Sequence, residues 1–287
     1  MKQVERLLPS SNVLGEGPRW NSDEQTLYWT DIRANALFRF HPESGKQEHW
    51  ALDLSVNCFA FRETGGLVLA TPKGFAFGDW QKKQVEVFAN PLPNNPQVRF
   101  NDGAVDSKGR FWVGSLGMDG ANALYRLGPD HYVRVMDAGF RLPNGIGWSP
   151  DDRTMYFTDS RACVIYAYDF DTSQGTIANR RVWARIPEEN GLPDGLCVDR
   201  EGFVWSARWG GWKIVRYDPA GRVYCEFKTP IQYPTSCVFG HSNLDWLYVT
   251  SARASYSEDQ IKNYPMAGDL FCLQTETQGL MGNLFKG

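Results

Sequence analysis

The chain has 287 residues, a formal net charge of −3, 42% hydrophobic and 22% charged residues. That length holds one large all-β domain or two small ones, and the near-neutral charge gives no electrostatic reason to expect nucleic acid or a membrane surface as partner. No run reaches the roughly 18 apolar residues of a membrane span, and the opening "MKQVERLLPSSNVLGEG" lacks an apolar stretch of signal-peptide length, so a cytoplasmic protein is expected.

The first predicted element is "QVERLLP", residues 3–9, which alternates like a strand and stands ahead of a repeat. The repeat begins with "EGPRWNSDEQTLYWTD" at Glu16 and returns as "NCFAFRETGGLVLAT" at Asn57 and "DGAVDSKGRFWVGS" at Asp102. It continues as "NGIGWSPDDRTMYFTD" at Asn144, "DGLCVDREGFVWSA" at Asp194 and "TSCVFGHSNLDWLYVT" at Thr235. Each unit is a short apolar strand, a polar turn, and a strand of alternating aromatic and small residues. Most are followed by a third alternating segment, such as "ALFRFHPESGK" or "KIVRYDPAGR".

The unit starts lie 41 to 50 residues apart. Three or four strands at such a period, without a helical pattern, specify a β-propeller. Six units give an all-β, six-bladed β-propeller that occupies 1–287 as a single domain. A two-sheet sandwich has no need of six in-register copies. The last unit ends in "GDLFCLQTETQG" with little chain left for an outer strand. The N-terminal segment is expected to supply that strand and close the ring, which removes two exposed sheet edges. The six cysteines (58, 163, 197, 225, 237 and 272) are scattered without CxxC spacing and are expected to be reduced thiols in or near the core.

In a propeller the first strand of each unit lies beside the central channel. The residue before its Gly or small residue therefore reaches the channel mouth, which places Glu16, Asn57, Asp102, Asn144, Asp194 and Thr235 on one ring. Asp and Asn also open turns, and that accounts for any one of these positions. It accounts poorly for six together, because carboxylates converging on one axis repel unless a positive group lies between them. A hard divalent cation held by oxygen ligands is the simplest such group, and water or substrate would complete its coordination. Strand direction brings Arg99, Asn101, Asp119 and Arg208 to the same mouth, the last two in loops that leave second strands. His41, His49, His131 and His241 fall away from the six starts, which excludes a Ser-His-Asp or Cys-His site.

At these residues the sequence resembles the regucalcin/gluconolactonase family of six-bladed propeller lactonases. The motifs that carry it span the chain: "LGEGPRW", "RFNDGAVD", "PNGIGWS", "LPDGLCVD", "YPTSCVF" and "LYVTSARA". The resemblance implies that Glu16, Asn144 and Asp194 are ligands of one divalent ion, whether Ca²⁺, Zn²⁺, Mn²⁺ or Mg²⁺. It implies that Arg99 and Asn101 contact substrate, and that Asp119 stands where an acidic residue meets sugar hydroxyls. Asp119 replaces the Glu of some members, which changes its reach. "ASYSEDQIKNYPMAGD" matches a family insertion and is expected to form a short lid-like helix.

The implied activity is hydrolysis of a sugar lactone to the aldonic acid. The cation polarises the carbonyl, Asp194 is the general base, and Arg208 meets a hydroxyl or anionic substituent. A calcium-dependent propeller hydrolase of phosphotriesters and a non-enzymatic calcium-binding or protein-interaction propeller stand as alternatives. The sequence does not separate a monomer from a small homo-oligomer.

Overall fold

Apolar residues at every second position, broken by turns of Asp, Gly, Asn and Ser, fold into six four-stranded antiparallel sheets. The computed structural model describes residues 3–92, 97–117 and 122–287. Blades 1 to 5 take their strands in chain order and cover 15–51, 58–89, 99–140, 143–185 and 192–228. Blade 6 begins with three strands between 234 and 274, and Glu5–Leu8 forms its outermost strand. The closing pair aligns Glu5 with Cys272, Arg6 with Phe271 and Leu8 with Leu270, so the ring shuts as the sequence led one to expect.

The second strand of each blade is buried on both faces, as in Thr26–Asp31, whereas outer strands such as Val223–Lys228 expose alternate residues. Apolar burial is divided into six clusters, one at each blade-to-blade contact. Trp205, Ile214, Phe239 and Leu247 pack between blades 5 and 6, for example, and Trp112, Phe140, Ile146 and Phe157 between blades 3 and 4. The hydrophobic effect thus holds neighbouring blades together and leaves the axis free for polar groups.

One feature was not anticipated from the sequence. The C-terminal segment crosses the channel mouth opposite the acidic ring, bridging Asp199 to Gly279 and Arg62 to Phe285. Phe285 is fully buried between blades 2 and 3, and the Lys286 N–H donates to the Gly109 carbonyl at 3.1 Å. A cavity of about 500 Å³ under this segment is lined by Arg19, Cys197, Cys237 and 280–284. All six cysteines are free. Among the described residues no helix is long and apolar enough to cross a membrane.

Candidate active site

The ring residues reach the axis because the ladder of each innermost strand slips beside them. The register between first and second strands shifts at Glu16/Arg19, Phe100/Gly103, Pro143/Ile146, Pro193/Leu196 and Pro234/Ser236. In blade 2 the Asn57 N–H donates to the carbonyl of Ala70, the residue that pairs with Cys58. A bulge adds a residue on one strand and turns its side chain off the sheet face. Glycine follows four of the six; Gly17 has a left-handed φ of 52°, and at Gly145 and Gly195 neighbouring first strands touch. A Cβ on Gly145 would lie 2.5 Å from the Leu196 nitrogen, and one on Gly195 would lie 2.1 Å from Ser236 Oγ.

Two aspartates fix the approach to the ring. Asp31 accepts from the N–H groups of Val13 and Leu14 at 2.8 and 3.0 Å, just before Glu16. Asp159 does the same for Arg141 and Leu142, both at 2.9 Å, just before Asn144. These are the closing Asp residues of "YWTD" and "YFTD", one register step outside the ring.

Three carboxylates face this mouth: Asp102 and Asp194 are buried, 8% and 4% exposed, and Glu16 is half-buried. Burial pushes the Glu16 carboxyl up to about 8; the charge of Asp102 adds to this, and the Gly17 N–H, Arg19 and Arg99 oppose it. Burial likewise holds Asp194 well above the usual carboxylate range, reinforced by Glu16 and Asp102 and opposed by the Asn144 amide and the Gly195 N–H. Asp102 is raised by burial, against Arg19 and the Gly103 N–H, which donates to it at 2.7 Å. Each carboxylate is thus disfavoured as an anion until a positive charge joins the group.

The amides are arranged to complement this. Asn144, 5% exposed, donates through Nδ2 to Asp194 Oδ1 and to Ser160 Oγ, while its Oδ1 is buried without a partner. Both amide atoms of Asn57 are buried and unpartnered as well. Thr235 is committed elsewhere: its hydroxyl donates to the Gly15 carbonyl at 2.6 Å.

Arg99 and Asn101 lie within the first strand of blade 3, Arg99–Val105, rather than ahead of it. Arg99 Nη1 donates to Asn101 Oδ1 at 3.0 Å and to the Phe100 carbonyl at 2.9 Å, and Asn101 Nδ2 donates to the Pro143 carbonyl at 2.8 Å. Asp119 lies outside the described residues.

Arg208 is a correction to the sequence reading. It occupies the second strand of blade 5, Val204–Trp209, paired with Pro193, and not a loop tip. It is 1% exposed, donates to Ser206 Oγ at 2.9 Å and to the Tyr217 hydroxyl, and forms no ion pair among the described residues. This register is the one that Asp31 and Asp159 hold in blades 1 and 4.

Arg19 was missed, although it stands in the quoted "GPRW". Its guanidinium donates to the carbonyls of Phe59 and Gly103 and comes within 4.0 Å of Asp102, so it ties blades 1, 2 and 3 below the ring. Polarity alone did not mark it, because its partners are main-chain atoms of other blades.

The inserted segment of blade 6 does form a short helix, Glu258–Asn263, with Ser257 and Gln260 as a capping box. A chain of tilted and edge-on aromatic contacts anchors it over blades 5 and 6: Tyr264 with Tyr256 at 5.0 Å, Tyr256 with Tyr233 at 4.9 Å, and Tyr233 with Trp209 at 4.9 Å.

The expected ligands fit a hard cation. Glu16, half-buried, and Asp194, buried, are carboxylates that repel each other, and Asn144 Oδ1 is a buried acceptor with no hydrogen atom to accept. Among the described residues no group of three His, Cys, Asp or Glu side chains is placed to hold a metal. The expected set contributes two of those types, and its third oxygen comes from an amide.

A closed six-bladed propeller that collects carboxylates and an unsatisfied amide oxygen at one channel mouth defines a β-propeller with an axial polar site. The chain belongs to the SMP-30/gluconolactonase/LRE-like family, whose sequence model matches residues 14–253. It is 35% identical to regucalcin of Danio rerio over 275 residues, 94% of this chain and 93% of that one. It is also 35% identical to the 6-deoxy-6-sulfogluconolactonase of Pseudomonas putida over 281 residues, 96% of each chain. A solved structure of regucalcin from Agrobacterium tumefaciens, described as a calcium-binding protein, superposes with a TM-score of 0.94 at 28% identity. That match covers 99% of this chain and 97% of the other.

Proposed function

We propose that the protein is a sugar lactonase that opens an aldonolactone to its aldonic acid with the help of one divalent cation. Glu16, Asn144 and Asp194 hold the ion, and the observation that carries this reading is the buried, unpartnered Oδ1 of Asn144 beside the Asp194 carboxylate. A divalent ion in such a site supplies a Lewis acid for the lactone carbonyl and favours ionised water at neutral pH.

The chain's own groups do the rest. Asp194 takes the proton of the attacking water as the oxygen bonds to the carbonyl carbon, and returns it to the ring oxygen as the carbon–oxygen bond breaks. The products are a free hydroxyl and a carboxylic acid, which loses its proton to solvent to become the carboxylate. Arg99 and Asn101, locked to each other and to main-chain carbonyls, orient the lactone. Asp119, outside the described residues, is assigned to the sugar hydroxyls by the family resemblance alone. Arg208 acts from behind the ring, as a buried cation whose charge favours the ionised form of Asp194.

The test is a rate screen over pentono-, hexono- and acid-substituted lactones, run after exhaustive chelation and again with Ca²⁺, Zn²⁺, Mn²⁺ or Mg²⁺ restored. Hydrolysis that disappears with the chelator and returns with a divalent ion is the expected result. Full activity after chelation overturns the metal mechanism, and inertness toward every lactone overturns the activity.

A further inference from the structure

Asn57 is one of the ring residues that neither the metal set nor the substrate contacts use. It is 2% exposed, about as enclosed as Asp194 and Asn144, and neither Nδ2 nor Oδ1 has a partner. A buried amide with both ends unmatched has given up its hydration without a hydrogen bond in return, which is unfavourable. Buried polar groups of this kind are uncommon in folded proteins and call for a reason. Thr235, at the equivalent ring position, shows that the fold can satisfy such a residue internally, since its hydroxyl reaches the Gly15 carbonyl at 2.6 Å.

The surroundings narrow the reason. Blade 2 stands between blade 1, which carries Glu16, and blade 3, which carries Arg99, Asn101 and Asp102. The next residue, Cys58, approaches Gly17 on one side, and its thiol is close to Gly103 on the other. Asn57 therefore stands between the blade that carries Glu16 and the blade that carries Asp102 and the lactone-orienting pair. Its amide offers one donor and one acceptor side by side. An anionic substituent would satisfy only the donor, and the neighbouring Glu16 and Asp102 would repel it. A hydroxyl both donates and accepts, and matches the amide at each end.

We infer that Asn57 is a specificity-determining residue whose amide binds a neutral hydroxyl of the lactone. The end of the substrate that lies against blade 2 is thus an alcohol and not an acid. This inference rests on the lactonase reading. A site built to hydrogen-bond a hydroxyl leaves its own polar groups unpaired when that partner is lacking, and discriminates strongly for that reason.

Asn57→Leu keeps the approximate volume and removes both polar atoms. Three quantities are read on the full-length protein: the melting temperature without ligand, kcat/KM for the best hydroxylated lactone, and the calorimetric affinity for the divalent ion alone. The expected result is an unchanged or higher melting temperature, a loss of kcat/KM of at least tenfold carried mainly by KM, and unchanged ion affinity. A fall of several degrees in the melting temperature assigns Asn57 a structural role and overturns the inference. Weakened ion binding, or kcat/KM within twofold of the parent, overturns it equally. These failures leave a working lactonase; a parent protein inert on all lactones is the separate failure of the activity itself.

Discussion

Asp194 and Asp199 stand five residues apart, one on each side of the same short strand, and the structure gives them opposite duties. Asp199 is fully buried and fully matched. It accepts from Trp205 Nε1 at 2.9 Å, from Arg216 Nη2 at 2.7 Å, and from the N–H groups of Glu201 and Phe203. Removing it strands an indole N–H and leaves Arg216 with Glu201, at 2.7 Å, as its carboxylate partner, so Asp199→Ala should cost about 1–3 kcal/mol in denaturant melts while kcat per folded molecule stays near the parent value. Asp194 is buried among like charges that oppose its ionisation. Asp194→Asn relieves that repulsion, so the ligand-free protein should melt at the same or a higher temperature. Its kcat at saturating ion should fall roughly 10²–10⁴-fold, because an amide does not accept the proton. Near-normal kcat at high ion concentration would place the base elsewhere. The sequence showed both residues as Asp before a turn or a glycine. Asp199 is matched by Trp205 and Arg216 from the next two strands of its own blade, as Arg208 is by Tyr217, whereas the charges facing Asp194 come from Glu16 and Asp102 in distant blades.

At the scale of the element, strand alternation was readable because a period of two is written into consecutive residues. All six innermost strands therefore begin close to where the repeat put them. The bulges that aim the ring residues were not readable, since a slip of one residue leaves the local pattern intact and shows only against the partner strand. Gly195 makes the point testable. A Cβ there would lie 2.4 Å from Ser236 Cβ and 2.8 Å from Ser236 Cα, so the first strand of blade 6 would have to retreat. Gly195→Ala should destabilise the protein by about 1–3 kcal/mol in a urea melt. It should also reduce kcat/KM, because the shifted backbone carries Asp194. Lost stability with untouched kcat/KM would show that the spacing between first strands does not set the site. The helix Glu258–Asn263 was expected only because its segment matches a family insertion; its capping box of Ser257 and Gln260 went unread, and its aromatic anchorage to Tyr233 and Trp209 joins residues too far apart to be seen in the chain.

Across the whole molecule, the repeat count specified the six blades and the incomplete last unit specified how the ring closes. The C-terminal crossing carried no comparable signal, because its contacts are single bridges to Asp199 and Arg62 rather than a ladder. Closure can be tested by deleting residues 3–9. That removes Val4 from the contact between blades 5 and 6, the Arg6–Asp269 ion pair at 2.7 Å, and the partner of Leu270–Gln274. The truncated protein should melt several degrees lower and self-associate through the uncovered apolar edge, seen as early elution on gel filtration. An unchanged melt and elution would mean that the outer strand of blade 6 is dispensable.

The pairing of Glu5–Leu8 with Leu270–Gln274 also governs the protein's history on the ribosome. The strand made first is the last to find its neighbour, some 260 residues later in the chain. At translation rates of 5–20 residues per second it waits roughly 13–50 s. Throughout that interval the nascent ring is an open arc with an unclaimed edge at each end. Glu5 and Arg6, which point to solvent in the finished protein, put opposite charges on that waiting segment and make it a poor template for another chain.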